Sequence, residues 1–210
     1  MHYFITGTDT GAGKTYVTCL LLQALREEGI RAVGYKPVSC GGLEDAKALQ
    51  EASEEGLTLE EINPLAYLTA AAPLVAAQIE SKPMEIAPLV DGFLDLQSRF
   101  DVVLVEGAGG WAVPISEEES MADLAKALGL PVVVVVNNRL GALNHSLLTW
   151  KAIQETGLPQ KGWIFNHLVD ELDLASVSNK GVLERLTQLP ILAEVLRENE
   201  WIEADWVEPG

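Results

Sequence analysis

The sequence predicts an α/β fold, a single doubly wound domain whose mainly parallel sheet carries helices on both faces. Strand-like and helix-like segments alternate along the 210 residues. The segments 101–106 and 132–137 are nearly uninterrupted runs of Val and Leu, without the polar alternation of a half-exposed strand. Strands that are apolar on both faces are typical of parallel sheets covered by helices on each side.

The individual elements follow from hydrophobic periodicity. In the first helix, Val17, Leu21 and Leu25 recur at helical spacing, and the next glycine is a residue at which the helix can end. Strands are predicted at 3–6, 32–36, 101–106, 132–137, 162–166 and 191–195. Helices are predicted between them, at 14–28, 43–55, 89–99, 120–128, 144–156 and 178–189. The Ala- and Pro-rich stretch 63–88 gives no assignment, and the acidic tail 201–210 has a loose pattern.

The composition narrows the classes of partner. The net charge is −17, and no cluster of Lys or Arg interrupts the acidic character, so we expect neither nucleic acid nor a membrane as a partner. At roughly 150 residues per domain, the length fits one domain spanning 1–210. Cys19 and Cys40 are too few for a disulfide framework, and the most apolar run, 131–136, is too short to span a bilayer. We therefore expect a cytoplasmic protein.

A glycine-rich loop between the first strand and the first helix predicts a phosphate site. Residues 7–15 read Gly-Thr-Asp-Thr-Gly-Ala-Gly-Lys-Thr. The backbone amides of such a loop and the N-terminus of the helix that follows converge on a polyphosphate. Lys14 would neutralise the β- and γ-phosphate oxygens, and the Thr15 hydroxyl would coordinate Mg²⁺. The spacing departs from the usual one, because Thr8 stands where a glycine is expected and Gly7 lies one residue upstream.

Other polar residues follow strands that end at the same edge of the sheet, where ligands bind in doubly wound folds. Glu106 ends a buried strand and small residues follow it, which suits a hard cation such as Mg²⁺. Lys36 ends another strand and would add a second cation, unless its side chain extends into solvent. Cys40 is equally well explained as a small buried residue, and Asp45 as a carboxylate at a helix start.

Taken in order, these motifs resemble those of the dethiobiotin synthetase family. The pattern comprises the loop at 7–15, Gly-Tyr-Lys-Pro-Val at 34–38, Val-Glu-Gly-Ala-Gly-Gly-Trp at 105–111 and Leu-Gly-x-x-Asn-His at 140–145. The resemblance covers the chain to about residue 198. It implies a P-loop NTPase-like fold and an ATP-dependent cyclo-ligase of biotin biosynthesis. That ligase carboxylates 7,8-diaminononanoate with CO₂ and closes the ureido ring of dethiobiotin, releasing ADP and phosphate.

The resemblance also implies catalytic and metal-binding roles. Lys36 would hold a carbamate formed on the substrate amine, Lys14 would hold the phosphates, and Thr10 would help to bind the diamine and the carbamate. Mg²⁺ would be bound by three residues, Thr15, Asp45 and Glu106. Asp45 gains this role from the resemblance only.

Nucleotide and substrate contacts are implied in the same way. Asn166 would read the adenine, since its amide offers both a donor and an acceptor. The implied ATP contacts are Gly11, Ala12, Gly13, Lys14, Thr15, Tyr16, Asp45, Glu106, Gly107, Ala108, Gly109, Asn166, Leu196, Arg197 and Glu198. Cys40 falls where the family commonly has a substrate-binding Ser, with Ser39 as the alternative. Leu143 and Asn144 would bind the substrate carboxylate from a partner subunit, which implies a homodimer with sites at its interface.

A different function for the same phosphate loop is that of a partner-switching ATPase of the partitioning or metal-delivery type. Such ATPases commonly carry a lysine early in the loop, and Thr8, Asp9 and Thr10 supply none. ATP turnover that does not depend on the diamine would favour this alternative.

Overall fold

Strands and helices alternate through residues 1–168, 174–197 and 199–208, which a computed structural model describes. The strands are β1 (Tyr3–Gly7), β2 (Ala32–Tyr35), β3 (Val38–Cys40), β4 (Leu65–Tyr67), β5 (Val102–Gly110), β6 (Val132–Asn137), β7 (Gln160–Asn166) and β8 (Ile191–Val195). The helices are α1 (Lys14–Glu27), α2 (Glu44–Ala52), α3 (Leu59–Ile62), α4 (Pro73–Ile79), α5 (Ile86–Arg99), α6 (Met121–Leu128), α7 (Ala142–Thr156) and α8 (Leu174–Thr187).

The central sheet has six parallel strands in the order β2-β5-β1-β6-β7-β8. Every residue of β1 and β2 is buried, as is every residue of β6 except its last. Helices α1 and α2 pack together on one side, and α5 to α8 form a second row in which each helix contacts the next. The predicted doubly wound, mainly parallel sheet with helices on both faces is confirmed.

Several element boundaries differ from the prediction. Helix α7 begins two residues early, because Gly141 has a left-handed conformation (φ 91°) that ends the preceding loop. Helix α8 begins at Leu174 and α2 ends at Ala52. Strand β5 continues beyond Glu106 to Gly110, and it pairs with β1 again at Gly7 after an irregularity in the register. Glu106 therefore lies within a strand rather than at its end.

The structure contains a second, smaller sheet that was not predicted from the sequence. Strands β3 and β4 pair in parallel, from Val38 opposite Leu65 to Cys40 opposite Tyr67. Strand β4 and helix α4 both lie in the stretch 63–88, for which no element was predicted. Three-residue strands are too short to display a period of two. This sheet forms one side of the site described below.

The acidic tail also has more structure than its pattern predicts. Ile202, Ala204 and Val207 are buried, and the Trp206 ring packs edge-on against Tyr3, with 5.4 Å between ring centroids. The tail therefore joins the hydrophobic core beside β1. No helix in the described part of the chain is long and apolar enough to cross a membrane.

Candidate active site

A cavity of about 670 Å³ opens beyond the carboxyl ends of β1 and β2 and beside β5. Most of its lining was predicted from the sequence: Thr10, Gly11, Gly13, Lys14, Thr15, Lys36, Ser39, Cys40, Asp45, Glu106, Ala108 and Gly109. The edge of the sheet on which the motifs converge is thus the edge that carries the cavity.

The phosphate loop joins β1 to α1 with two left-handed glycines. Gly11 has φ 77°, and Gly13 has φ 83° and is the N-cap of α1. A Cβ on Gly13 would also collide with Asn166 Nδ2. Lys14 and Thr15 are the first residues of the helix, where backbone N–H groups have no partner within the helix. This geometry presents amides and a lysine to an anion in the cavity.

The charged centre of the cavity is built around Glu106, which is completely buried. Its Oε1 accepts a hydrogen bond from Lys36 Nζ at 2.5 Å and another from Thr15 Oγ1 at 2.8 Å. Lys36 Nζ also lies 3.0 Å from Asp45 Oδ2. The start of α1, the residue after β2, the start of α2 and the middle of β5 thus contribute one polar group each.

The protonation of these groups follows from burial and from their neighbours. Burial lowers the pKa of Lys14 to about 8, although the Glu106 charge acts in the opposite direction. Burial also tends to lower the pKa of Lys36, but the charges of Glu106 and Asp45 outweigh it, so this pKa is raised. For Asp45 burial acts upward, but the Lys36 charge and the hydrogen bonds from Lys36 and Thr15 together outweigh it, so the carboxyl pKa is lowered. Lys36 and Asp45 are therefore a charged pair near neutral pH.

The donor set fits a divalent metal ion. Glu106 Oε2 is buried and makes no hydrogen bond to any residue that the structure describes, although the other carboxylate oxygen makes two. With Asp45 and the Thr15 hydroxyl it forms a set of oxygen donors, which is the chemistry that Mg²⁺ prefers. The described residues contain no group of three or more His, Cys, Asp or Glu side chains that could hold a metal.

Ser39 and Cys40 both line the cavity but have different surroundings. The buried Ser39 hydroxyl donates to Asn63 Oδ1 at 2.9 Å. Cys40 is half-buried, and burial raises the pKa of its thiol to about 11, so the thiol is protonated near neutral pH. Because the Ser39 hydroxyl donates its proton to Asn63, the Cys40 thiol is more available than Ser39 for a hydrogen bond to a molecule in the cavity.

One wall of the cavity was not predicted at all. It consists of small and apolar residues from the end of β4, the start of α4 and the loop after β5: Ala70, Ala71, Ala72, Pro73 and Val113. The Ala-Ala-Ala-Pro run is visible in the sequence, but nothing local to it indicates a ligand. Only the pairing of β4 with β3 brings it beside Lys36 and Cys40.

Several predicted nucleotide contacts lie outside the cavity lining. Asn166 is buried behind the phosphate loop, where Nδ2 donates to the Ala12 carbonyl at 2.9 Å. Gly107 lies within β5, close to the Phe4 ring. The Tyr16 hydroxyl donates to the backbone carbonyl of Asn199.

The remaining predicted residues lie further along the chain. Leu143 and Asn144 belong to the first turn of α7, and they do not line the cavity of their own chain. Leu196 and Arg197 follow β8 and are exposed. Glu198 lies outside the described residues.

Comparisons with known proteins agree with one another. A family model described as an AAA domain matches residues 1–200. The ATP-dependent dethiobiotin synthetase BioD of Akkermansia muciniphila is 43% identical over 204 residues, which cover 97% of this chain and 96% of the relative. The synthetase of the same name from Yersinia pestis is 40% identical over 199 residues, covering 91% and 82%. That from Xylella fastidiosa is 46% identical over 172 residues, covering 78% and 76%.

Solved structures with low sequence identity share the fold. A ParA family ATPase from Chlorobium tepidum has a TM-score of 0.59 at 14% identity, covering 95% of this chain and 84% of that one. MinD from Pyrococcus horikoshii, solved with Mg-ADP, has a TM-score of 0.56 at 17% identity, covering 94% and 82%. These likenesses confirm the P-loop NTPase-like fold.

Proposed function

Because this chain belongs to the dethiobiotin synthetase family, we propose a role for each group of its cavity in that family's reaction. The chain is an ATP-dependent cyclo-ligase of biotin biosynthesis. It forms dethiobiotin from 7,8-diaminononanoate, CO₂ and ATP, and it releases ADP and phosphate. The observation that carries the proposed roles is the convergence of Lys36, Asp45, Glu106 and Thr15 beside the phosphate loop.

The nucleotide would bind with its phosphates on the loop 7–15. Left-handed Gly11 and Gly13 leave space for the backbone amides to approach the phosphate oxygens. Burial lowers the pKa of Lys14 to about 8, and the negative charge of a bound phosphate would raise this pKa, so that the lysine is fully protonated in the complex. Asn166 would read the adenine, because its amide has a second N–H and a carbonyl oxygen beyond the bond to Ala12. Leu196, Arg197 and Glu198 would flank the base, and Tyr16, Gly107, Ala108 and Gly109 would complete the nucleotide surroundings.

Thr15, Asp45 and Glu106 would hold Mg²⁺, as their oxygen donors and the unpaired Glu106 Oε2 indicate. A bound Mg²⁺ supplies positive charge to the phosphate oxygens during phosphoryl transfer. The completely buried Glu106 carboxylate provides the counter-charge for both the metal and Lys36.

The carbamate would lie between the phosphate loop and Lys36. A Lys ammonium has three donors, and the contacts to Glu106 and Asp45 use two of them, which leaves one for a carbamate oxygen. Carbamate and γ-phosphate are both anionic, and a pair of unit charges about 4 Å apart repels by roughly 4 kcal/mol at an effective dielectric of 20. Lys36 and Lys14 offset this repulsion from two sides of the cavity.

Ring closure follows from the same positioning. The carbamate oxygen takes the γ-phosphoryl group and ADP leaves. The second amine then attacks the carbamoyl carbon, and its N–C bond forms as the bond from that carbon to the phosphorylated oxygen breaks. Phosphate departs with this former carbamate oxygen and takes up the proton that the attacking amine loses. Nearby cations favour the neutral amine, which is the nucleophilic form, so no protein base is required. Thr10 and Cys40 would contact the diamine on opposite walls, with Ser39 fixing the Cys40 backbone.

We include a homodimer in this proposal. Leu143 and Asn144 lie in the first turn of the fifteen-residue helix α7 and do not line the cavity of their own chain, so we assign them to the cavity of a neighbouring chain. There, free N–H groups at the helix start would bind the substrate carboxylate. Both cysteines are free, which supports the cytoplasmic setting expected from the sequence.

A diamine-dependent assay tests the proposed function. Purified protein is supplied with MgATP and bicarbonate, with and without 7,8-diaminononanoate, and both phosphate and dethiobiotin are measured. We expect phosphate release that requires the diamine and equals dethiobiotin formation mole for mole. Phosphate release that is unchanged without the diamine would favour the partner-switching ATPase instead.

A further inference from the structure

The backbone of Lys36 lies beyond the central sheet and is held by a different part of the chain. Strand β2 ends at Tyr35, so Lys36 has no partner in the sheet ladder. Its N–H donates to the Ile62 carbonyl at 2.8 Å, and its own carbonyl accepts from Asn63 Nδ2 at 2.7 Å. The main chain of Lys36 is therefore fixed by the last residue of α3 and by the residue that follows it.

The Asn63 side chain holds this segment at both ends. Its Oδ1 accepts from the Ser39 hydroxyl at 2.9 Å, and Nδ2 also donates to the Leu65 carbonyl at 3.2 Å. The residue is 6% exposed, so these bonds have little competition from water. One amide thus connects the residue before Pro37, the middle of β3 and the start of β4.

Lys36 must be placed accurately for its contacts to form. Its ammonium reaches Glu106 on β5 and Asp45 on α2, which are carried by two different elements. A displacement of the Lys36 backbone would be transmitted along the side chain to both contacts. Misplacement of a reacting group by about 1 Å can cost a hundredfold in rate.

We propose that Asn63 is a positioning residue for ring closure. It fixes the backbone from Lys36 to Ser39, and in this way it places the Lys36 ammonium against the carbamate. This inference rests on the role proposed above for Lys36. Neither the loop 7–15 nor Asn166 contacts Asn63 in the described hydrogen bonds, so the phosphate loop and the proposed adenine contact are held independently of it.

The chemistry explains why the residue is Asn. The position requires a donor toward the Lys36 carbonyl and an acceptor for the Ser39 hydroxyl. An Asp of nearly the same shape accepts from Ser39 but directs a lone pair at the Lys36 carbonyl. A Leu of similar size supplies neither group. Asn63→Asp therefore breaks the lysine contact selectively and keeps the volume of the site.

The experiment compares Asn63→Asp and Asn63→Leu with a matched control, Ser53→Ala. Ser53 is 2% exposed, and its hydroxyl accepts a hydrogen bond from the N–H of Gly34 at 2.9 Å. Gly34 belongs to β2, the strand that precedes Lys36, and neither residue lines the cavity. All variants are assayed for dethiobiotin formation at saturating ATP, for ADP affinity by calorimetry, and for stability in urea.

We expect both Asn63 variants to lower kcat for dethiobiotin formation by roughly ten- to a hundredfold while ADP affinity stays within about twofold. Ser53→Ala should lower stability and leave kcat near that of the parent chain. Wild-type kcat in folded Asn63→Asp would overturn the inference. So would an equal loss of kcat in Ser53→Ala, since the effect would then be a general consequence of a weakened strand.

Lys36→Ala separates failure of this inference from failure of the proposed function. If Lys36→Ala retains full activity, the role proposed for Lys36 is wrong. If Lys36→Ala is inactive and Asn63→Asp is fully active, only the positioning role of Asn63 is wrong. In the Lys36→Ala background, a further Asn63→Asp change should reduce the residual rate by less than twofold, because the group that it positions is already absent.

Discussion

Lys36 Nζ lies 2.5 Å from Glu106 Oε1, at a point where the carboxylate is completely buried and the lysine nearly so. Burying two charges costs several kcal/mol per ion, and only close pairing with additional hydrogen bonds compensates for that cost. Thr15 and Asp45 supply those bonds. The structure thus keeps a negative and a positive charge side by side at a buried point of the cavity, where each affects substrates more strongly than it would in water.

Removal of one member of this pair should destabilise the fold. We expect Lys36→Met to lower the free energy of unfolding by about 3 kcal/mol or more, because Glu106 is left buried without its main partner. Adding Glu106→Gln should restore much of the loss, since the uncompensated charge is then absent. Urea unfolding of the single and double variants measures this. The exposed pair Arg31–Asp101, 3.0 Å apart, is the control, and Arg31→Met should cost less than about 1 kcal/mol.

The two lysines of the cavity should differ in kinetic effect. Lys36→Ala should reduce kcat by roughly a hundred- to a thousandfold and leave ATP affinity nearly unchanged, because its ammonium serves the carbamate. Lys14→Ala should damage both quantities, because Lys14 belongs to the phosphate loop. Steady-state kinetics combined with calorimetric ATP titration distinguishes the two. A collapse of ATP binding in Lys36→Ala would assign that lysine to the nucleotide site instead.

Glu106→Gln should weaken the response to Mg²⁺. The change removes the charge of a proposed ligand and substitutes a poorer one at the buried position. Loss of a residue that only holds a metal ligand in place lowers metal affinity roughly 10- to 100-fold. Because Glu106 is itself a proposed ligand, we expect the Mg²⁺ concentration for half-maximal ADP binding to rise by at least this factor. Asp101→Asn, an exposed carboxylate outside the cavity, is the control and should have no effect. An unchanged Mg²⁺ requirement in Glu106→Gln would place the metal elsewhere.

Gly11 and Gly13 of the phosphate loop allow a matched comparison of stability, because both have a left-handed backbone and differ in the space around them. Gly11→Ala should cost about 1–2 kcal/mol, because a left-handed backbone disfavours a Cβ but the space around it is open. Gly13→Ala should lose a further 1–3 kcal/mol, roughly, from the collision with Asn166. Thermal unfolding gives the two losses. Equal losses would show that Asn166 moves aside freely and that its bond to the Ala12 carbonyl contributes little.

A capping carboxylate outside the site should show a defined pH dependence. Asp123 accepts from the Ser120 backbone N–H at 2.9 Å and from its hydroxyl at 2.8 Å, and these bonds hold the pKa of the carboxyl below its ordinary value of 3.8. Its stabilising charge is therefore present above about pH 4 and is lost as the pH falls through the lowered pKa.

Asp123→Asn should accordingly cost about 0.5 kcal/mol near neutral pH and almost nothing near pH 2. Thermal unfolding of both chains across this range measures the difference, and kcat should be unchanged because Asp123 does not line the cavity. A stability difference that persists at low pH would attribute the effect to packing rather than to the charge.

The phosphate loop and the two buried strands were predictable because their signals are local. A glycine-rich loop followed by Lys-Thr needs only its neighbouring strand and helix to be recognised, and the continuous Val runs of β5 and β6 identify a parallel sheet. The course of β5 beyond Glu106 was not predictable, because Gly107 and Gly109 read as a loop. Their place in the strand depends on pairing with β1 and on contact with Phe4.

The fold class and the residue types of the cavity can be predicted from spacing within single loops and strands, and the reaction family from the order of several such motifs along the chain. Three features depend on the tertiary structure: the ion pair of Lys36 with Glu106, the hydrogen bond from Ser39 to Asn63, and the place of the alanine-rich stretch in the lining of the cavity. These contacts join residues that are 24 to 70 positions apart. Distances between such residues are set by the packing of whole elements, which no local pattern records.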